Sequence, residues 1–566
     1  MASYLWECCF CLLPSVLFLL LSLILHWPRT CCWMRLAVQA TSWRLWVIIC
    51  LILKMPLDRN TKTRMKEDRS AEVHDSSGVG QVSDGPRLIC KSTALAKYLL
   101  QHCCSLARPK LASWPWGDPN IQTLSSMVWG QRGETLQFTR DHLLLRDGGI
   151  VALDWVVETR RGEMTGRKKW EGRKEHQSGG KTQGILTVMP PVLLVIPQYW
   201  GGITPHLQVL CHQAVRQGFH VVVFHARGTA GCPLTTPRLT EFGDPADLEQ
   251  AVAYVHSCRP SSALVALSEG SGSGVLLSYL GESGSSSLLT AAAAISPVLL
   301  GQLWFETALP PVYRWGATFH RKVPLRRYAN SFRGVLDVDQ ALSCSSLRDF
   351  EETLFCCSTQ LQQRPPRPLL KSGSHLREGM TPSVAWALGE RAYPAQDWDS
   401  YWGRNEPLRD ADEVAVPVFC VCSLDDPVVS PIITLPLSLF QSNPYFLLAL
   451  TDRGGHCGFT LEGPEEIEGG RNGHDELEHG NWSHTAVLEY FRVVIAFLKR
   501  EAGEGDSCDF LLGDYSQASQ KSKISNMAPP RRRRATLARR LRLPTPGESS
   551  MDKAEENFTW KRSYTR

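Results

Sequence analysis

The chain has 566 residues, 43% of them hydrophobic, and 61 Lys and Arg against 56 Asp and Glu give a formal net charge of +5. That length supports one large domain with additions, or two. The small, unevenly spread charge excludes a nucleic-acid footprint over the whole domain. The 19 cysteines form no paired CxxC motifs at zinc spacing, so neither a metal nor another cofactor is expected, and idle reduced thiols suffice.

Residues 5–27 are almost wholly apolar, broken by Glu7 and His26. A helix over them, rising ~1.5 Å per residue, crosses a ~30 Å hydrocarbon layer. No positive charge precedes the run, as it would in a cleaved signal peptide. Arg29, Arg35, Arg44, Lys54, Arg59 and Lys62 follow it, which places the body of the chain on the cytoplasmic side. The expectation over 1–55 is a single-pass membrane anchor, with the endoplasmic reticulum a fitting membrane. Signal-peptide cleavage and secretion is the alternative. A second apolar stretch, 45–53, is too short to span and is expected at the interface or in a membrane hairpin. Cys8, Cys9, Cys11, Cys31 and Cys32 stand where acylated cysteines occur.

Residues 56–87 are polar and charged and read as a linker. A globular pattern holds over 88–503. The continuous apolar run 192–197 reads as a strand covered on both faces. A helical pattern follows it and ends at Gly218. Further strands are expected at 220–228, 263–267, 291–298, 416–423 and 445–450. Helices are expected at 247–258, with Asp247 as cap, and at 484–500. Strands alternating with helices predict a mostly parallel sheet covered on both sides. The segments 160–184, 360–396 and 462–482 look like surface insertions. Residues 504–566 read as a disordered basic tail. There "RRRRATLARR" sets Thr536 behind four arginines, as basophilic kinases prefer, and a phosphate would change the charge of the tail. Asn481 and Asn557 match the glycosylation triplet, but chance matches are common and a cytoplasmic body conflicts with their use.

Ser-His-Asp chemistry on such a sheet needs a nucleophile at a sharp strand-to-helix turn, an acid after a later strand and a histidine after the last one. "CSLDDPVVSP" places Asp425 or Asp426 at a strand end, and "TDRGGHCGF" places His456 after the final strand. Ligand sites of open α/β sheets form at these ends. The acid would orient the imidazole and stabilise its charged form.

The stretches "IQTL", "RDGGIVALDW", "VVFHARG", "SLDDPVVSP" and "RGGHCGF", with "FGDPADLEQAVAYV", "SEGSGSG", "YWGRNEPLRDADE" and the terminal "NFTWKRSYTR", resemble the α/β-hydrolase family, in particular its membrane-anchored lipid hydrolases and esterases. The resemblance spans residues 88–503 and the last ten. It implies the α/β-hydrolase fold, with Asp426 as relay acid and His456 as relay base. It further implies a role in fat-cell lipid metabolism and its lipolysis, a lipid or acyl-ester ligand, and a cyclic-nucleotide phosphodiesterase as partner.

The family elbow reads Gly-x-Ser-x-Gly, and here those positions hold Ser268-Glu269-Gly270-Ser271-Gly272. Gly270 then occupies the nucleophile position. Another register makes Ser268 the nucleophile, but it forces Gly270, Gly272 and Gly274 into the first helical turns, at roughly 1 kcal/mol each. The first register is preferred. Ser271 is a weaker candidate again. Losing the serine of such a unit costs on the order of 10⁶-fold in turnover, so a catalytically impaired hydrolase is expected. An active serine carboxylesterase or phospholipase using Ser268 is the alternative. On the oxyanion side, Gln198, Tyr199 and Trp200 are bulky and predict a filled or reshaped hole, unless they line an apolar pocket. Trp304, Phe305 and "PPVYRW" read either as a lid over an acyl-chain pocket or as ordinary core.

Overall fold

The computed structural model describes residues 28–55 and 86–509, apart from 108, 129–135, 158–188, 200, 308, 333–335, 357–390, 392–393, 430–433 and 463–480. The expected anchor run, Trp200, Thr536, Asn557, the far tail and most of the linker and insertions lie outside the described residues.

Among the described residues nine strands form one sheet: β1 (Arg87–Ile89), β2 (Gln137–Leu144), β3 (Ile150–Val157), β4 (Val192–Ile196), β5 (His220–His225), β6 (Leu264–Glu269), β7 (Ala291–Ile295), β8 (Val418–Ser423) and β9 (Phe446–Thr451). Their order is β1-β9-β8-β7-β6-β4-β5-β3-β2. The central pairs are parallel, and antiparallel strands β1, β2 and β3 close the two edges.

In chain order the helices used below are α1 (Pro28–Ile52), α2 (Ala94–His102), α3 (Pro119–Val128), α4 (Pro205–Arg216), α5 (Ala246–Cys258), α6 (Ser273–Ser283), α7 (Gly301–Glu306), α8 (Pro311–Arg327), α9 (Leu347–Phe355), α10 (Trp398–Asn405) and α11 (Trp482–Asp509). Successive residues of a strand point to opposite faces, and β4 shows the result. Leu193 and Val195 join a core with Leu207 and Leu210 of α4 and Val487 and Phe491 of α11. Val192, Leu194 and Ile196 join another with Leu248 and Val252 of α5 and Leu276 and Leu280 of α6. With both faces covered, β4 has no place for polar residues.

A third core lies apart from the sheet. Phe242, Trp304, Phe305, Phe350, Trp398 and Trp402 pack there with Tyr313 of α8. Trp304 and Phe305 are buried in it, and the Trp304 indole N–H donates to the carbonyl of Val428 at 3.1 Å. They hold the Asp426 loop in place and do not cover an open pocket. The second apolar stretch is the end of α1, and its Cys50, with Met55 just beyond, belongs to this third core.

Asp247 does not cap its helix. α5 begins at Ala246 without a side-chain cap, and the Asp247 carboxylate pairs with Arg227 at 2.5 Å. Arg227 also holds Asp147 at 2.8 Å. Arg238 joins Asp147 to Asp244, and Arg391 joins Asp244 to Glu241. Buried charges persist only when paired in this way.

Candidate active site

β6 ends at Glu269, and Gly270 opens a tight turn with φ +49° before α6 begins at Ser273. That left-handed backbone costs an L-residue about 1–2 kcal/mol and costs glycine almost nothing. A Cβ built on Gly270 would lie 2.9 Å from His456 Nε2 and 3.4 Å from the Gln198 side-chain nitrogen. The imidazole edge and the Gln198 amide therefore occupy the space where a nucleophile would stand.

Ser268 lies two residues back, inside β6. It alternates with Ala266 and Leu264 toward the α5–α6 side. Its Oγ is fully buried and makes no hydrogen bond among the described residues, to His456 or to anything else. Ser271 lies past the bend, and its Oγ accepts the Tyr199 backbone N–H at 3.1 Å.

The acid and the imidazole meet. Asp426 follows β8, and its Oδ2 lies 2.9 Å from His456 Nδ1. Its Oδ1 accepts the backbone N–H groups of Val428 and Val429, each at 2.8 Å. Asp425, the other carboxylate of the pair, accepts from Gly455 N–H at 2.9 Å and serves the loop instead. Burial works against a charge on His456, but the Asp426 carboxylate outweighs it and holds the imidazole pKa well above its ordinary value.

The histidine loop is fixed from a distance. His456 N–H donates to Thr123 Oγ1 at 2.9 Å, and its carbonyl accepts from Ser126 Oγ at 3.2 Å. Both partners lie on α3. Gly455 (φ +55°) passes so close that a Cβ there would meet the carbonyl of Pro119 at 2.6 Å. Sequence reading missed Thr123 and Ser126. The only signal was "IQTL", and nothing local marks its partner 333 residues on.

An oxyanion hole takes one donor from the residue after the nucleophile and one from the loop after the first central strand. The N–H groups that would fill these positions are those of Ser271 and Tyr199, and the second donates to Ser271 Oγ. The Tyr199 ring lies under the Arg321 guanidinium, 3.9 Å from its centre, and its hydroxyl donates to the carbonyl of Thr240. Gln198 is buried against Gly270. The cavity lined by Pro197, Gln198, Tyr199 and Gly272 holds about 30 Å³, and the one beside Asp426 and Ser296 about 10 Å³. These are water-sized spaces, where ligand pockets hold about 300–1,000 Å³.

On the opposite face, the ligating atoms of His206, Glu269 and His484 lie within 4.8 Å of one another. Asn481 packs against this group. Its Oδ1 accepts from Ser483 and His484, and its amide nitrogen lies 2.5 Å from His206 Nε2 and donates to the carbonyl of Gly458. His206 Nδ1 faces Glu269 Oε1 at 3.1 Å. The same amide nitrogen donates to the carbonyl of Cys457. The atom a glycan would modify is therefore buried and engaged.

No family model matches the chain. It is 39% identical over 522 residues to human Protein ABHD15, covering 90% of this chain and 93% of that protein. It is 24% identical over 391 residues to human Phospholipase ABHD3, covering 68% and 81%. It is likewise 24% identical over 391 residues to medium-chain fatty acid ethyl ester synthase/esterase 2 of Saccharomyces cerevisiae, covering 62% and 78%. With this fold, this order of acid and histidine, and relatives of that extent, the chain belongs to the α/β-hydrolase family that includes ABHD15.

Proposed function

We propose that this protein is a membrane-anchored α/β-hydrolase homologue of lipid metabolism that acts by binding, as a regulator of lipolysis, and does not turn over esters. One observation carries the reading: His456 Nε2 faces a residue with no side chain, at the position where the fold presents its nucleophile. Two others support it. Ser271 occupies an oxyanion donor. The adjoining cavities have no room for an acyl chain. The names of ABHD3 and the yeast esterase support lipids as the field of action. With water-sized spaces beside the elbow among the described residues, the working surface on this reading faces a partner, for which a cyclic-nucleotide phosphodiesterase is the expected class.

A fluorophosphonate probe tests this on the purified full chain. The expected result is no labelling of wild type and none of Ser268→Ala or Ser271→Ala. Labelling of wild type that disappears in either variant refutes the reading. The anchor is the run 5–27, which lies outside the described residues; among the described residues no helix is long and apolar enough to cross a membrane. Carbonate extraction of the full chain tests it: Leu19→Arg with Leu23→Arg should release the protein from the pellet.

A further inference from the structure

α1 is apolar on two sides. Val47 and Cys50 face the protein and are buried, with Trp46 packed beside them. The other side carries Val38, Leu45, Ile48, Leu51 and Ile52, all exposed, Ile52 at 73%. A helix apolar all round is stable when both sides are covered, and among the described residues nothing covers this one.

α8 repeats the pattern. Trp315, Phe319 and Val323, spaced four apart and so on one face, are exposed at 70%, 50% and 40%. The Trp315 and Phe319 rings stack on each other, 5.4 Å between centroids, rather than on the body of the protein. Trp116 is exposed at 65%.

The buried sides of α1 and α8 meet. Cys50 of α1 and Tyr313 of α8 pack in the same core. The Tyr313 hydroxyl donates to Asn120 Oδ1 at 2.9 Å at the start of α3, where the Asp118 carboxylate accepts the N–H groups of Asn120 and Ile121, each at 3.0 Å. Trp116 precedes Asp118 by two residues.

The charges on the two helices have one sign. Neither the α1 sequence nor the α8 sequence contains Asp or Glu. Exposed Arg44 and Lys54 flank the α1 stripe, and exposed Arg314, Arg326 and Arg327 flank the α8 stripe. Outward Trp and Phe with basic neighbours and no acid suit the headgroup layer of an anionic leaflet. The chain itself points the same way, because the run 5–27 ends where α1 begins, without a spacer.

We infer that the outer side of α1, Trp116 and the Trp315–Phe319–Val323 stripe of α8 form one face that lies in the surface of an anionic lipid bilayer. This rests on the membrane reading above but not on the anchor run, since the face belongs to the folded domain. The leaflet covers apolar surface that water would otherwise meet, and the arginines hold the domain flat against phosphate headgroups.

Two experiments on the full chain test it. In the first, photoreactive benzoylphenylalanine replaces Ile48, Phe319 or Leu144, the last an exposed residue of edge strand β2, and the protein is irradiated on vesicles of phosphatidylcholine and phosphatidylserine. Lipid adducts at 48 and 319 but not at 144 are expected. Protein adducts alone at 48 and 319, or lipid yields equal to that at 144, overturn the inference, the former in favour of a protein partner. In the second, the chain carries Leu19→Arg and Leu23→Arg to disable the anchor run. It should still sediment with phosphatidylserine vesicles, and adding Trp315→Ser with Phe319→Ser should weaken that binding about tenfold or more. Binding untouched by the pair, or absent from the start, refutes the face. Release from carbonate-washed membranes tests the anchor separately.

Discussion

The two halves of the candidate site differ. On one side, Asp426 and His456 are buried, 2.9 Å apart, and braced by four further hydrogen bonds, three accepted from Val428, Val429 and Ser126 and one donated by the His456 N–H to Thr123. On the other, the elbow carries glycine, Ser271 turns its hydroxyl onto the oxyanion loop, and Gln198 fills the gap. Under the proposed binding role, Asp426 and His456 persist as a structural pair. The carboxylate favours the charged form of the buried ring against the cost of burial, and the loop it holds lies at the carboxyl end of the sheet.

The sharpest way to break this contrast is at the acid. Asp426→Asn removes the carboxylate that partners the buried His456 ring and should cost about 3 kcal/mol or more in urea unfolding. The pH dependence follows. The His456 pKa is raised on folding, so the pair's contribution is fully present below the unfolded value of about 6.5 and is lost as pH rises through the folded value. The stability gap between wild type and Asp426→Asn should therefore narrow as pH is raised; a gap that widens would contradict a structural role. At the elbow, Gly270→Ala should cost about 2 kcal/mol, from left-handed backbone and contact with His456 Nε2. Gly270→Ser should suffer the same strain, and it should gain no probe labelling while Ser271 holds the Tyr199 N–H. Labelling of that single variant would show that the hydroxyl alone was missing. Ser271→Ala orphans the Tyr199 N–H and should cost about 1 kcal/mol. The smallest effect is expected at Ser268, whose Oγ has no partner to lose. Ser268→Ala should fall within about 0.5 kcal/mol of wild type or stabilise it. A large loss there would return Ser268 to the site.

The central strands were legible because each is a short apolar run between turn residues, and the acid and histidine stand at the ends of two of them. The edge strands were harder to read. In β2 polar and apolar residues mix, as "QFTRDHLL", because one side meets solvent. Asp247 looked like a cap because acidic residues favour helix starts, but a buried guanidinium outbid the helix. The Thr123 and Ser126 clasp joins residues more than 300 positions apart, and no local pattern encodes such a meeting. The bulk of Gln198 and Tyr199 after β4 was legible. That the Tyr199 ring turns away to Arg321 depends on packing that only the folded chain reveals.

One short rod of structure ties together parts that otherwise stand apart. The Tyr313 hydroxyl donates to Asn120 Oδ1 at 2.9 Å at one end of α3, and Thr123 and Ser126 grip the histidine loop one turn further along. Whatever leans on α8 from outside thus pulls, through fewer than two turns of helix, on the ring beside Asp426. Tyr313→Phe cuts that link without touching either end, and the nitrogen resonances of the His456 ring are where the slackening would register.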